Sequence, residues 1–247
     1  ARAHPELNVV FLAIGFETTA PATAVVLSSA AQSETPNFSV LCNHVLTPSA
    51  MQAIVDGADR GETAQIDGFI GPAHVSIIVG TQAYEPFARL HHKPVVIAGF
   101  EPLDVLQAIA MLIRQINQGR CEVENEFIRA VDGEGNRKAK DWLSEVFELR
   151  DEFEWRGLGT IPRSALRIKD RYQNWDAEHR FGLKPKAVKD HKACECGAIL
   201  RGVKHPRDCA IFGTVCTPEQ PVGSCMVSSE GACAAHYQYG RFRIANA

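Results

Sequence analysis

Short apolar runs alternate with longer amphipathic stretches from residue 8 to residue 118. The apolar runs lie about 28 residues apart and read NVVFLAI (8–14), FSVLC (38–42), DGFI (67–70) and PVVIA (94–98). Stretches with helical periodicity lie at 22–32, 48–58 and 102–119. Alternation at this spacing is typical of βαβ units, in which helices cover the faces of a parallel sheet. The pattern predicts an α/β fold, an open parallel sheet with flanking helices made of Rossmann-like βα units.

The pattern changes after Gly119, which is expected to end the last of these helices. An extended edge segment is predicted at 122–131 and a charged helix at 136–149. The segment FEWRGLGTIPRSALRI (153–168) mixes aromatic residues with glycine and proline, which favours a packed irregular connection. A polar stretch then indicates a domain boundary within 168–190. We therefore expect an α/β part over 1–168 that forms a cleft, and a small, irregular or helical, cysteine-rich domain over 169–247.

Composition and charge exclude two classes of partner. The net charge of -3 and the pI near 6.3 give no basic surface of the kind that holds a phosphate backbone, so nucleic acid is not expected as a partner. The longest apolar run, VVFLAIGF (9–16), is too short to span a bilayer, so no membrane segment is expected.

Three predicted strands end in similar polar loops, GFETTAP (15–21), GPAHVS (71–76) and GFEPLD (99–104). Loops at the carboxyl ends of parallel strands lie side by side, which is where such folds bind ligands. Thr18, Thr19 and His74 are therefore candidate cleft residues. Each has a purely structural alternative: either threonine can cap the helix that Pro21 opens, and a lone histidine is commonly a hydrogen-bonded structural residue. Glu17 is interpreted as a helix-terminus carboxylate.

Six of the eight cysteines lie between residues 194 and 233. Cross-linked secreted scaffolds spread their cysteines through a small chain, whereas only Cys42 and Cys121 precede this group. Structural zinc sites usually show paired CxxC knuckles, and none is present here, although zinc stays open as an alternative. An iron–sulfur cluster would need four thiolates and leave two thiols for a redox disulfide. The spacing does not select which four would be ligands.

Several motifs taken together resemble one family. GFETTAP, GPAHVS, VIAGFEPLD, EWRGLGTIP, ILRG and CMVSSEGACAAHY occur in the order found in the HypD family of hydrogenase maturation factors. The family's Cx14Cx6Cx16C pattern for a [4Fe-4S] cluster falls here on Cys194, Cys209, Cys216 and Cys233. By the same resemblance, Cys196 and Cys225 would be a redox-active pair beside the cluster, similar to the arrangement in ferredoxin-thioredoxin reductase.

The resemblance also implies a function, which is that of a metallocentre assembly scaffold with redox activity rather than a conventional enzyme. Such a scaffold would hold a transient Fe(CN)2CO iron unit of [NiFe]-hydrogenase together with a HypC-like chaperone, and HypE, with HypF upstream, would deliver cyanide. Thr18, Thr19 and His74 would line the assembly cleft, and electrons would reach it through Cys196 and Cys225. Glu230 would be a proton or hydrogen-bond partner for the cluster region, or else a simple turn carboxylate.

One departure from the family pattern concerns the N-terminal side. HypD proteins carry a CGxH iron-binding cysteine and a further cysteine pair ahead of the region seen here, and neither occurs in this sequence. Because residue 1 is not methionine and an apolar strand begins almost at once, we expect a truncated fragment. Two other functions stay open, a [4Fe-4S]-dependent disulfide reductase and a zinc-stabilised interaction module. Free thiols in this number favour a reducing cytoplasm.

Overall fold

The structure is a computed structural model that describes residues 1–59, 66–184 and 191–240. The chain divides into two compact units. The first comprises Ala1–Met51, Ile66–Phe153 and Pro162–Pro185, and the second comprises Gln52–Gln65, Glu154–Ile161 and Lys186–Ala247. Each unit has an apolar core of its own.

A two-stranded parallel sheet opens the first unit. Strands β1 (Val9–Gly15) and β2 (Phe38–His44) pair along their whole length, and helix α1 (Ala20–Gln32) connects them. Pro21 lies in the first turn of α1, where its missing N–H costs no hydrogen bond. The helix is buried along one face, where Ala24 and Leu27 belong to the same core as Val40 of β2. Helix α2 (Thr47–Asp59) follows β2.

A second parallel sheet has the order β3–β4–β5, with β3 at Phe69–Pro72, β4 at Val95–Ala98 and β5 at Val123–Asn125. Every residue of the central strand β4 is buried, as its unbroken apolar sequence VVIA requires. Helices α3 (Ala73–Val79) and α4 (Glu85–His91), separated by a 3-10 turn at Thr81–Tyr84, lead from β3 to β4, and α5 (Pro102–Asn117) leads from β4 to β5.

Shorter elements follow β5. Helix α6 (Arg137–Val146) begins at Asn136, whose side chain accepts a hydrogen bond from the N–H of Ala139. Strand β6 (Phe147–Leu149) pairs in antiparallel fashion with β9 (Leu166–Ile168), while β7 (Glu152–Trp155) pairs with β8 (Gly159–Pro162). A 3-10 turn (Asp170–Trp175) and helix α7 (Ala177–Phe181) complete the first unit.

Short helical turns make up the second unit. They are α8 (Cys196–Leu200), a 3-10 turn (Pro206–Asp208), α9 (Ser224–Val227), α10 (Ala232–Ala235) and a π-helical turn (His236–Gly240). Glycine and proline set these lengths, because Gly202 follows α8 with a positive φ, Pro206 opens the 3-10 turn, and Gly223 and Gly231 precede α9 and α10. Among the described residues, no helix combines the length and apolar character that crossing a bilayer requires.

The predicted fold class is confirmed, because the chain is an α/β protein with parallel strands flanked by helices and a cysteine-rich C-terminal region. The parallel strands are, however, divided between two sheets instead of forming one. The extended segment predicted at 122–131 contains the edge strand β5. Helices α3 and α4 were not predicted.

Two details of the prediction after residue 135 are wrong. The charged helix ends at Val146 rather than at 149, because Phe147 begins a strand that pairs with β9. The segment 153–168, predicted as irregular, contains strands; Gly157 and Gly159, both with positive φ, turn the chain between β7 and β8. Strands of three or four residues are too short for residue propensity to reveal them.

The domain division at residue 168 stays a prediction, and the compact units differ from it at two places. Tyr172 packs in the core of the first unit with Val146 and Ile168. Residues 154–161, in contrast, belong to the second unit. Part of the predicted boundary stretch, 185–190, lies outside the described residues.

Candidate functional site

The cysteine-rich region gathers all six of its thiols around one apolar core. Cys196, Cys209, Cys216, Cys225 and Cys233 are buried members of this core, and Cys194 packs against it while staying partly exposed. Cys196 begins α8, Cys225 lies in α9 and Cys233 lies in α10, so three short helices each bring one sulfur inward. Residues up to 39 positions apart in sequence therefore share one site.

Three of the sulfurs are in direct contact. The Sγ atom of Cys225 lies 2.6 Å from the Sγ of Cys196 and 2.9 Å from the Sγ of Cys233. The backbone N–H of Cys225 also donates to the Cys196 sulfur over 3.4 Å. All three cysteines are free thiols. The structure thus places the predicted pair Cys196 and Cys225 side by side, and it adds Cys233, whose contact with Cys225 was not predicted.

The other sulfurs lie close to backbone groups. The Cys216 sulfur accepts the N–H of Val222 over 3.4 Å, and the Cys209 thiol donates to the carbonyl of Ala193 over 3.7 Å. Gly223 packs against the sulfurs of Cys194 and Cys196. A Cβ atom at Gly223 would stand 2.6 Å from the Cys194 Sγ and closer still to the Cys196 Sγ, so only glycine fits there. Sequence reasoning missed this glycine, whose one sequence signal is its place just before SC in GSCMV.

The pKa values of the contacting thiols move in opposite directions. The pKa of Cys196 is lowered, mainly because the Cys225 thiol donates a hydrogen bond to it, and the same bond raises the pKa of Cys225. The pKa of Cys233 is also raised by its bonds to these two sulfurs. Burial raises the pKa of the Cys194 thiol to about 11. The hydrogen bonds among the three sulfurs therefore favour a thiolate at Cys196 over one at Cys225 or Cys233.

The donor set can be compared with the metal groups that cysteines bind. A single zinc ion draws four thiolates to about 2.3 Å. Among the described residues, no group of three or more His, Cys, Asp or Glu side chains is arranged to hold one metal ion. A [4Fe-4S] cluster is a larger object with thiolate ligands, often stabilised by N–H donors to sulfur and a low-polarity shell. The buried thiols and the N–H of Val222 fit that second description in their chemistry.

A cavity of about 340 Å³ lies in the second unit beside the partly exposed Cys194. The turn between β7 and β8 forms one side of it and the start of α8 forms the other; the lining residues are Glu154, Trp155, Arg156, Gly157, Gly159, Cys194, Glu195, Gly197 and Ala198. Cys194 is the one thiol of the six that lines this cavity. The cavity therefore gives solvent-sized molecules access to that sulfur.

The loop after β1 is held by its own hydrogen bonds. Thr19 occupies the position that caps α1, but its hydroxyl donates to the carbonyl of Phe16 over 3.2 Å and makes no capping bond. Gly15 has a φ of +145°, and the Thr19 hydroxyl fills the space where a Cβ would stand. Thr18 is partly buried and Thr19 is exposed. The prediction of a capping threonine is correct for the position and wrong for the hydrogen bond.

Glu17 in the same loop is a buried carboxylate. It accepts hydrogen bonds from the N–H and the hydroxyl of Thr47, over 2.7 and 3.0 Å, at the first residue of α2. This agrees with its interpretation as a helix-terminus carboxylate, although the helix is α2 and not the one next to it in sequence. Burial raises its pKa.

His74 lies at the carboxyl end of the second sheet. It is exposed in the first turn of α3, and its ring centroid is 5.1 Å from that of Phe100 in the loop after β4. Two of the three predicted loops thus meet at this sheet. Among the hydrogen bonds of the described residues, none joins His74 to Thr18 or Thr19, which lie in the loop after β1 of the first sheet. Burial raises the pKa of Tyr84, in the 3-10 turn after α3, to about 12, and the negative charge of Glu17 adds to this.

Glu230 is exposed in the turn between α9 and α10. Its backbone N–H donates to the Ser228 hydroxyl over 3.2 Å. Among the described contacts, none joins its carboxylate to a cysteine sulfur. Glu230 thus lies in a turn, and its role as a partner of the cluster region stays a prediction.

The chain is similar over nearly its whole length to proteins of one known family. Residues 1–240 match the family model described as "HypD: Hydrogenase formation hypA family". The chain belongs to the HypD family. It is 64% identical over 245 residues to the hydrogenase maturation factor HypD of Cupriavidus necator, covering 98% of this chain and 65% of that relative. It is 41% identical over 239 residues to the HypD of Escherichia coli K12, covering 97% of this chain and 63% of that relative. The chain thus spans about two thirds of the length of the HypD proteins it matches.

Proposed function

We propose that this chain acts in [NiFe]-hydrogenase maturation, as a scaffold on which the Fe(CN)2CO unit is assembled. The observation that carries the proposal is the shared core of six thiols in a chain of the HypD family. Curated relatives from several bacteria bear the name hydrogenase maturation factor, which supports the role. Scaffold describes it better than enzyme, because the proposed product stays bound until it is passed on.

Cys194, Cys209, Cys216 and Cys233 are proposed to hold a [4Fe-4S] cluster. When bound, such a cluster supplies one-electron redox chemistry. The chain's own contribution is to exclude water, since three of the four sulfurs are buried among Ile199, Ile211 and Met226. Glu230 is proposed as a proton or hydrogen-bond partner at the exposed edge of this region.

Cys196 and Cys225 are proposed as the redox pair. Their sulfurs are 2.6 Å apart, so closing them to a disulfide releases two electrons and two protons without moving the backbone far. Because both thiols are buried, they exchange slowly with thiols in solution. Electrons are then passed to the proposed assembly cleft rather than lost to those thiols.

The loops at the strand ends are proposed as the assembly cleft, with Thr18, Thr19 and His74 at its surface. Exposure of Thr19 and His74 leaves a hydroxyl and an imidazole able to contact a bound iron unit or a partner protein. A HypC-like chaperone and HypE, with HypF upstream as the source of cyanide, are the proposed partners. A cytoplasmic location is proposed with them, because free thiols persist in a reducing compartment.

A disulfide reductase is the second candidate function. Contact between Cys196 and Cys225 favours it, as does the cavity that reaches Cys194. The two functions predict different behaviour. A scaffold co-purifies with a small chaperone and carries iron beyond that of its cluster, whereas a reductase turns over an added protein disulfide when reduced ferredoxin is supplied.

The first experiment is the measurement of iron and acid-labile sulfide on the full chain purified without air. We expect about four of each per chain in the wild type and a loss of both in Cys209→Ala. Cys121→Ser is the matched control, because Cys121 lies outside the cysteine core and its substitution should change neither number. Zinc without sulfide in the wild type would refute the cluster, and would leave a zinc-stabilised module as the explanation.

A further inference from the structure

Cys225 touches two other sulfurs, and only one of these contacts has a part in the proposed function. Its Sγ lies 2.6 Å from that of Cys196 and 2.9 Å from that of Cys233. A disulfide bond is about 2 Å long, so either contact needs to shorten by less than about 1 Å to become covalent. Small rotations about χ1 of these cysteines can supply that change.

We propose that Cys225 is a branch point, which forms a disulfide with Cys196 or, alternatively, with Cys233. A sulfur holds one disulfide at a time, so the two bonds exclude each other. Either Cys233 or Cys196 is consequently left as the free thiol. This inference deepens the proposed function, on which it rests, because Cys233 is one of the four proposed cluster ligands.

The exchange between the two states is balanced within the protein. A thiolate at Cys233 attacks the Cys225 sulfur of a Cys196–Cys225 disulfide. The Cys225–Cys233 bond forms as the Cys196–Cys225 bond breaks, and the electron pair leaves on the Cys196 sulfur, which takes up the proton that Cys233 lost. No net oxidation occurs. The first disulfide is made by an external small-molecule disulfide, which is reduced to two thiols as the protein dithiol loses two electrons.

The surroundings favour exchange inside the protein over exchange with solvent. Cys196, Cys225 and Cys233 are 4%, 4% and 5% exposed, so each meets its neighbour far more often than an outside thiol. Gly231 reinforces the geometry. A Cβ at this glycine would collide with the carbonyl of Cys225, so α10 and its Cys233 pack directly onto α9.

The consequence concerns the ligand set. A Cys225–Cys233 disulfide removes one of the four proposed ligands, so the chain in that state cannot complete a four-thiolate site. Moving the bond back to Cys196 frees Cys233 again. Thiol oxidation would in this way decide whether the proposed site is able to accept a cluster.

Disulfide mapping tests the branch point directly. The full chain is equilibrated without air with a mixture of hydroxyethyl disulfide and its thiol, alkylated in acid, unfolded and digested with trypsin and a glutamate-specific protease. Cleavage places the three cysteines on separate peptides, which are 196–201 (CGAILR), 220–230 (QPVGSCMVSSE) and 231–241 (GACAAHYQYGR). Mass spectrometry then identifies which pairs are linked.

In the wild type we expect both linked pairs, 196–201 with 220–230 and 220–230 with 231–241. Cys196→Ser should lose the first pair and make the second the main product. Cys233→Ser should lose the second pair and make the first the main product. Cys121→Ser is the matched control, since Cys121 is a free thiol outside the cysteine core; it should keep both pairs. Circular dichroism of each variant shows whether it is folded.

Absence of the second pair from both the wild type and a folded Cys196→Ser variant would overturn the inference, whether or not the first pair forms. This result is independent of the test of the proposed function. A chain that binds four iron atoms and never links Cys225 to Cys233 keeps the cluster and loses the branch point. A chain that links Cys225 to Cys233 and binds no iron keeps the branch point and loses the proposed cluster.

Discussion

The Nε2 atom of His44 lies 2.9 Å from the Oγ1 atom of Thr23, and both side chains are buried. The Thr23 hydroxyl also lies 3.4 Å from the carbonyl of Thr19. Which of the two groups donates in the His44–Thr23 contact depends on which ring nitrogen of His44 carries the proton. The other ring nitrogen, Nδ1, is buried without a hydrogen-bond partner. This chain of bonds ties the end of β2 to the loop that contains the proposed cleft threonines.

Removing the hydroxyl of Thr23 should destabilise the first unit. Thr23→Val keeps the shape of the side chain but leaves the buried Nε2 of His44 without its hydrogen-bond partner, which we expect to lower the free energy of unfolding by about 1–3 kcal/mol. Urea denaturation measures the change. Ser29→Ala, which removes a hydroxyl from the exposed face of the same helix, is the control and should change stability by less than about 0.5 kcal/mol. Equal effects of the two substitutions would show that the His44 contact contributes nothing.

His44 should also make stability depend on pH. Burial lowers its pKa below the ordinary 6.5, so the folded state binds a proton there less readily than the unfolded state. Its stabilising contribution is therefore complete above pH 6.5 and is lost as the pH falls from 6.5 towards the folded-state pKa. We expect the difference in unfolding free energy between wild type and His44→Gln to shrink over that range. A difference that is constant from pH 7.5 down to about pH 5 would contradict the shift.

Arg150 should matter more to stability than its exposed counterpart Arg167. Arg150 makes a bidentate ion pair with Glu178, with nitrogen–oxygen distances of 2.5 and 3.1 Å. Its guanidinium also donates to the backbone carbonyls of Cys42 and Leu166. Lysine cannot reproduce this planar set of donors, so Arg150→Lys should cost about 1.5–3 kcal/mol. Arg167→Lys changes an ion pair with Glu148 that is about half exposed, and should cost less than about 0.5 kcal/mol. Thermal unfolding of both variants decides between these values.

Gly223→Ala should impair the cysteine core without touching a thiol. Its new Cβ would collide with the sulfurs of Cys194 and Cys196, so we expect iron and acid-labile sulfide per chain to fall by about half or more. Ser224→Ala changes the next residue, whose hydroxyl points to the carbonyl of Arg156, and is the control. Full iron and sulfide in Gly223→Ala would mean that the core adapts to the added methyl group.

Much of the α/β part follows from local pattern. An apolar run of four residues such as VVIA, rich in β-branched side chains, is typical of a strand covered on both faces, and β4 is such a strand. Proline in the first turn and amphipathic spacing place α1 and α5 within two residues of where the structure has them. These features were predictable because backbone geometry repeats every two residues in a strand and every 3.6 in a helix.

The short strands β6 to β9 were not predictable in this way. Each has three or four residues, and what makes them strands is a partner elsewhere in the chain, as Phe147 pairs with Ile168. The same holds for the division of the parallel strands between two sheets. Strand pairing depends on tertiary contacts that neither partner's sequence encodes alone.

The same distinction between local sequence pattern and tertiary contact applies to the cysteine site. The sequence by itself determined that six thiols fall within 40 residues and that four of them match a family pattern, since both are properties of order along the chain. Only the tertiary structure decided that Cys225 touches both Cys196 and Cys233, that Gly223 packs against two sulfurs and that Cys194 lines the cavity beside the start of α8. Contacts of this kind depend on how three short helices pack on one another, and packing is a property of distances in space that residue spacing does not specify.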